Sequence, residues 1–298
     1  MKCSLCPRRC DAVRYNSLSD GICTGFCASP VLPVVARAGL HHWEEPVISG
    51  SRGSGTVFFS GCNLKCVFCQ NYNISTGHQG KEITVARLRE IYKELISQGA
   101  HNINLVTPGH YIHAILASLD EKLSVPVVYN SNGYDRVESL RSLEGKIDIY
   151  LPDLKYADNN IAGLYSQAPD YFETAVAAID EMFRQTGPVV IDDDGIMQKG
   201  VIIRHLVLPD QLENSVRVIN FVAEHFPKGS VLFSLMRQYI PCGIVSDEKF
   251  PELNRKLSDF EYETIESVLF DSGIEDGFLQ DEEAATDAFI PLFDGSGV

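Results

Sequence analysis

The 298-residue sequence predicts an α/β fold, a parallel sheet covered by helices. Three observations carry that prediction. Six short runs rich in β-branched and aromatic residues are spaced along residues 51 to about 240. They are apolar almost throughout, as strands buried on both faces are, rather than alternating. Helical patterns lie between them, and parallel neighbours need crossovers of that kind. On periodicity alone a barrel and an open doubly wound sheet both satisfy this pattern.

In order, the strand candidates are GTVFFS (55–60), NINLV (102–106), PVVY (126–129), IDIY (147–150), VIIRHLVL (201–208) and VLFSL (231–235). Val85, Leu88, Ile91, Tyr92, Leu95 and Ile96 recur at helical spacing behind Thr84 as N-cap, and Gly99 is placed to end that helix. Helices are also expected over Tyr111–Leu119, Val137–Leu143, Tyr171–Gln185 and Asn214–Phe226. Residues 1–50 read as a cysteine-rich, turn-rich, irregular segment, 51–241 as the α/β unit, and 242–298 as an acidic extension with one helix.

Composition narrows the function classes. With 45% hydrophobic and 22% charged residues the chain is ordinary for a globular protein, and it has no apolar run long enough to span a membrane. MKCSLCPRRC lacks the apolar core of a signal peptide, so a cytoplasmic location is expected and the nine cysteines read as metal or redox ligands. Net charge is −15, with no basic stripe, which argues against nucleic-acid binding. From Val245 onward three Lys/Arg face fifteen Asp/Glu, and a solvated face explains such a tail more readily than a basic partner does.

The chemistry is concentrated at Cys62, Cys66 and Cys69, a C-x3-C-x2-C directly after the first strand, with Phe68 before the last thiol. Three thiolates leave one iron of a four-iron cubane without a protein ligand, and a structural zinc would want a fourth. By this motif and its context the sequence resembles the radical S-adenosylmethionine (radical SAM) superfamily. The resemblance implies a partial (β/α)6 barrel, a 4Fe–4S cluster and S-adenosylmethionine chelated at the open iron. Reductive cleavage would then give a 5′-deoxyadenosyl radical that abstracts hydrogen.

Over roughly Gly53 to Pro241 the chain looks most like the activating enzymes of glycyl radical enzymes, the pyruvate formate-lyase activase type. Asn71 matches an asparagine near the adenine. NSNGYDR (130–136) and YLPDLKY (150–156) resemble a D-T-N-G turn followed by a D-L-K, whose lysine pairs with the methionine carboxylate and whose aspartate helps hold a monovalent cation. Lys155 and Asp153 fall on those positions, while Asn130 replaces an aspartate. A second departure follows the second strand, where Thr107-Pro108-Gly109-His110 stands in place of a G-G-E-like segment; Thr107 or backbone near Gly109 is expected to receive the amino group. Arg204 matches an arginine facing the ribose, and Gln238 and Tyr239 fall near an adenine or ribose contact. His205 is expected to point into the helix layer.

Cys3, Cys6, Cys10 and Cys23, with Cys27 as a fifth, have loop spacing that suits either zinc or a second iron–sulfur cluster. HHWEEP (41–46) reads as a polar linker, and Cys242 as a small apolar filler. The resemblance implies a reducing partner such as flavodoxin or ferredoxin and a glycyl radical enzyme, or another protein, peptide or small molecule, as substrate. The alternative of another class is a zinc-stabilised interaction protein without catalysis.

Overall fold

The computed structural model describes residues 2–21 and 23–298. The chain enters the sheet at β1 (Val34–His41), antiparallel to β2 (Ser54–Phe59), and β3 (Lys81–Glu82) pairs with the outer edge of β1. Next to β2 lie β4 (Ile103–Val106), β5 (Val127–Ser131) and β6 (Ile149–Pro152), all parallel. β7 (Val190–Ile191) makes a short antiparallel pair with β8 (Met197–Leu206), which continues the parallel run beside β6. β9 (Leu232–Met236) follows, and β10 (Gly277–Leu279) closes the far edge in parallel.

The six expected strands are therefore β2, β4, β5, β6, β8 and β9, adjacent in space in the order of the sequence. A doubly wound sheet would reverse direction at a switch point. This one does not. Its inner face is filled instead: Ile48 packs with Val128, Ile149, Leu151, Met197, Ile202 and Leu232 in one buried cluster. Ile48 belongs to α1 (Pro46–Ser49), a single turn in the β1–β2 connection that stoppers the lumen.

The covering layer starts after the short α2 (Tyr72–Ser75) with α3 (Val85–Ser97), where Thr84 Oγ1 accepts from the Arg87 amide at 3.1 Å and buries Leu88, Ile91, Tyr92 and Leu95. α4 (Ile112–Ser118), α5 (Val137–Arg141), α6 (Asn159–Ser166), α7 (Tyr171–Thr186) and α8 (Leu212–His225) follow. α9 (Asp259–Ser272) opens with a capping box between Ser258 and Glu261. Two features depart from the sequence reading. Residues 1–50, expected to be irregular, contain β1, because Val34, Val35, Ala36 and Ala38 are buried against the rest of the core. The acidic C-terminal stretch adds β10 and then returns to β1, with Gly295 donating to the Ala36 carbonyl and Ala38 to that of Ser296. Among the described residues no helix is long and apolar enough to cross a membrane.

Candidate active site

The loop after β2 carries the three thiols over the C-terminal end of the sheet, where α/β barrels place ligands. Each sulfur accepts a hydrogen bond. Asn132 Nδ2 and the Leu64 amide donate to Cys62 at 3.3 and 3.4 Å. Ser166 Oγ donates to Cys66 at 3.0 Å, and Ser75 Oγ to Cys69 at 3.3 Å. Donors aimed at sulfur are what cluster-ligating thiolates use to set their potential. Burial pushes the Cys62 thiol up to about 12 and that of Cys69 to about 11, and it raises Cys66 as well. Without metal these thiols stay protonated at neutral pH, so iron binding must displace protons. Among the described residues no three His, Cys, Asp or Glu side chains gather around a point that would hold a single metal ion. A cubane makes no such demand, since it spreads its ligands over separate iron corners.

Cys66, Phe68, Cys69 and Asn71 form the upper wall of a cavity of about 550 Å³ that opens into the lumen. Asn130, Asp153, Lys155, Arg204 and Gln238 also line it. Four of these are joined to one another and to Glu44, which lines the same cavity. Lys155 Nζ lies 2.6 Å from Asp153 Oδ2, and Arg204 Nε lies 2.9 Å from Asp153 Oδ1. Arg204 Nη2 donates to Asn130 Oδ1 at 2.7 Å and Nη1 meets Glu44 Oε2 at 3.3 Å. Burial alone would raise the Asp153 carboxyl, but Arg204 and Lys155 hold it below the usual carboxylate range. Asp153, to which the resemblance gives a part in holding a monovalent cation, is thus engaged by the guanidinium of Arg204, which also meets Glu44.

The other candidates lie elsewhere. Thr107 and Gly109 do not line the cavity. A Cβ on Gly109 would stand 2.7 Å from Asp135 Oδ1, so close packing explains that glycine. His110 is buried with Nε2 2.8 Å from the Ser60 carbonyl, and burial drops its pKa to about 3. Tyr239 is buried and donates to the Leu253 carbonyl at 2.7 Å, a packing role. His205 does point into the helix layer, with Nδ1 2.8 Å from the Leu154 carbonyl and Nε2 2.9 Å from Ser215 Oγ on α8. Cys242 is no mere filler: its thiol donates to the Phe68 carbonyl at 3.0 Å, within the cysteine loop.

At the amino-terminal end Cys3, Cys6, Cys23 and Cys27 are buried and Cys10 is exposed. Burial pushes the Cys6 thiol up to about 12, with Cys27, Cys3 and Cys10 adding to the rise, so those four are neighbours. This segment abuts the cluster loop, since a Cβ on Gly61 would stand 3.2 Å from the Cys27 carbonyl oxygen.

Sequence reading missed Glu44 and Glu45, which HHWEEP delivers into the lumen beside Arg204. It also missed the sulfur donors Asn132, Ser166 and Ser75.

The chain belongs to the radical SAM superfamily, whose family model matches residues 56–221. It is 31% identical over 277 residues to an uncharacterized protein of Methanocaldococcus jannaschii, covering 90% of this chain and 73% of the relative. Among solved structures, methylornithine synthase is similar in fold at 14% identity, with a TM-score of 0.50 over 79% of this chain and 68% of its own. Streptococcus suis SuiB bound to S-adenosylmethionine matches at 13% identity and a TM-score of 0.48 over 76% of this chain. The chain spans about half the length of SuiB.

Proposed function

We propose that the protein is an iron–sulfur enzyme that cleaves S-adenosylmethionine reductively and uses the radical so formed to abstract hydrogen from a substrate. The observation that carries this reading is the arrangement of three hydrogen-bonded thiols on a loop at one end of a parallel barrel, two of them facing a cavity that also holds Lys155. Bound there, a 4Fe–4S cluster and S-adenosylmethionine supply the electron and the radical, and the protein supplies orientation and exclusion of water. Cys62, Cys66 and Cys69 would hold three irons. Lys155, fixed by Asp153, offers an ammonium to the cofactor carboxylate, while Phe68, Asn71 and Gln238 bound the space for the nucleoside. Arg204 holds Asp153, Asn130 and Glu44 in register beneath it.

The resemblance to glycyl-radical activating enzymes supports a partner enzyme's backbone glycine as substrate, with flavodoxin or ferredoxin as electron source in the cytoplasm. Radical modification of another protein, peptide or small molecule is favoured by one feature, the wall that Ala284, Thr286, Phe289, Ile290 and Pro291 build along one side of the cavity. The amino-terminal cysteines would hold a second cluster rather than a zinc ion, since among the described residues no three of them converge on one point.

Anaerobic reconstitution tests the reading. The wild-type chain is expected to take up about four irons at this site and to release 5′-deoxyadenosine when reduced with S-adenosylmethionine. Cys62→Ala, Cys66→Ala and Cys69→Ala should each abolish that release. Undiminished release from any of the three would refute the assignment.

A further inference from the structure

We propose that Glu45 anchors a protonated nitrogen of the substrate, a primary ammonium or guanidinium on an alkyl stem. The inference rests on reading the cavity as the chamber where radical chemistry takes place. Its starting point is a deficit of donors in the lumen. Glu45 lines the cavity, and its Oε2 is enclosed with no hydrogen-bond partner. Asn104 Oδ1, on β4 and likewise fully enclosed, has none either. Both orphans are acceptors, and a carboxylate oxygen without a donor is the costlier of the two.

The charges already present do not meet this need. Three carboxylates, Glu44, Glu45 and Asp153, share the lumen with two cations, Arg204 and Lys155. Lys155 is paired with Asp153, and Arg204 with Asp153, Glu44 and Asn130. Glu44 has both oxygens engaged, since Asn104 Nδ2 donates to its Oε1 at 3.2 Å. Among the described residues Glu45 forms no ion pair; burial raises its carboxyl above the usual carboxylate range and Arg204 offsets this only in part, so a cation brought by the substrate would hold it ionised.

Glu45 is also rigidly mounted. It precedes Pro46, the first residue of α1, and its carbonyl accepts from the amides of Ile48 and Ser49 at 2.8 and 3.0 Å. Ile48 is wholly buried in the apolar layer below. Above, the way in passes aromatic rings: Trp43, 62% exposed, stands with its centroid 4.4 Å from that of Phe289, and both line the cavity. Such rings accept an alkyl stem and attract a cation at its end. A substrate group with no N–H or O–H would leave the floor as unsatisfied as before, and a charged donor would bind it more strongly than a neutral one.

The test uses the full chain, reconstituted with its cluster and saturated with S-adenosylmethionine but not reduced, in calorimetric titrations. The probes are N-acetyl-lysine methylamide, N-acetyl-arginine methylamide and the neutral N-acetyl-norleucine methylamide. Wild type is expected to bind the charged probes at least about tenfold more tightly than the neutral one. Glu45→Gln should reduce that preference below about threefold while iron content and cofactor affinity stay at wild-type values. Glu45→Asp, which keeps the charge, should retain part of it. Equal binding of charged and neutral probes by wild type, or an intact preference in Glu45→Gln, overturns the proposal. So does a Glu45→Gln variant that loses cofactor affinity instead, since the carboxylate would then serve the cofactor's own amino group. A wild-type chain that takes up no iron and no S-adenosylmethionine defeats the reading of the chamber and the proposal together, whereas a loaded chain indifferent to probe charge defeats the proposal alone.

Discussion

Lys155 is held against Asp153 at 2.6 Å, with its ammonium largely shielded from water, before any ligand is considered. A second carboxylate arriving from the cofactor would meet a donor already in place, and a charge-assisted contact of this kind is worth about 1.5–3 kcal/mol. Lys155→Ala is therefore expected to weaken S-adenosylmethionine binding by about 10- to 100-fold in calorimetry on the reconstituted protein, with iron content unchanged. His110→Ala, outside the cavity, should leave that affinity alone. The reverse order would show that the cofactor sits elsewhere. At this scale the sequence was informative wherever function is local. Three thiols within eight positions can be read from spacing, whereas Asp153 and Lys155 came in as what the family resemblance implies. Glu44 could not: its partners Asn104, Asn130 and Arg204 are 60, 86 and 160 residues away, and nothing in HHWEEP distinguishes a solvated linker from one threaded into a barrel. Asn132 and Ser166 escaped for the same reason, since they reach the sulfurs across 70 and 100 residues.

Among the elements, the six parallel strands were legible because each is buried on both faces and so is apolar throughout, with ends within a few residues of those observed. β1 was masked by its surroundings. Its valines follow a stretch dense in cysteine and turn formers, and its outer half carries Arg37 and His41. β10 has only three residues, and its first, Gly277, has no room for a Cβ against the Phe233 carbonyl, a reason for glycine that no local pattern reveals. The amino-terminal segment is an element of another kind, with little regular structure and four buried thiols around which the chain turns. A bound metal would contribute to its folding directly. The double variant Cys6→Ser/Cys10→Ser should then lose one small cluster and melt earlier, while Cys62, Cys66 and Cys69 keep their iron. Metal analysis showing zinc and iron both unchanged from wild type would remove the second site.

On the scale of the whole molecule, the uneven charge of the chain has a partner within the chain. The amino-terminal part is basic and the end is acidic, and the structure brings them together. Asp294 lies 3.5 Å from Arg37, Lys81 Nζ reaches the Val298 carbonyl at 3.3 Å, and Gly295 and Ser296 bond to the backbone of β1. Phe293 packs edge-on against Phe58 at 5.4 Å, at the rim of the buried cluster that includes Val106. The exposed ion pair contributes little. The apolar contact matters more, although Phe293 is only partly buried and so contributes less than the about 1.5–3 kcal/mol of a fully buried ring. Ala284, Thr286, Phe289, Ile290 and Pro291 of this stretch also line the cavity. A chain ending at Gln280 should therefore fold and load its cluster, because no iron ligand touches the missing part. Its melting temperature should fall by a few degrees. Its affinity for S-adenosylmethionine should fall as well, since the chamber loses a side and water enters. A truncated chain with unaltered melting temperature and affinity would mean that the tail lies free in solution and that the cavity is bounded by the barrel alone.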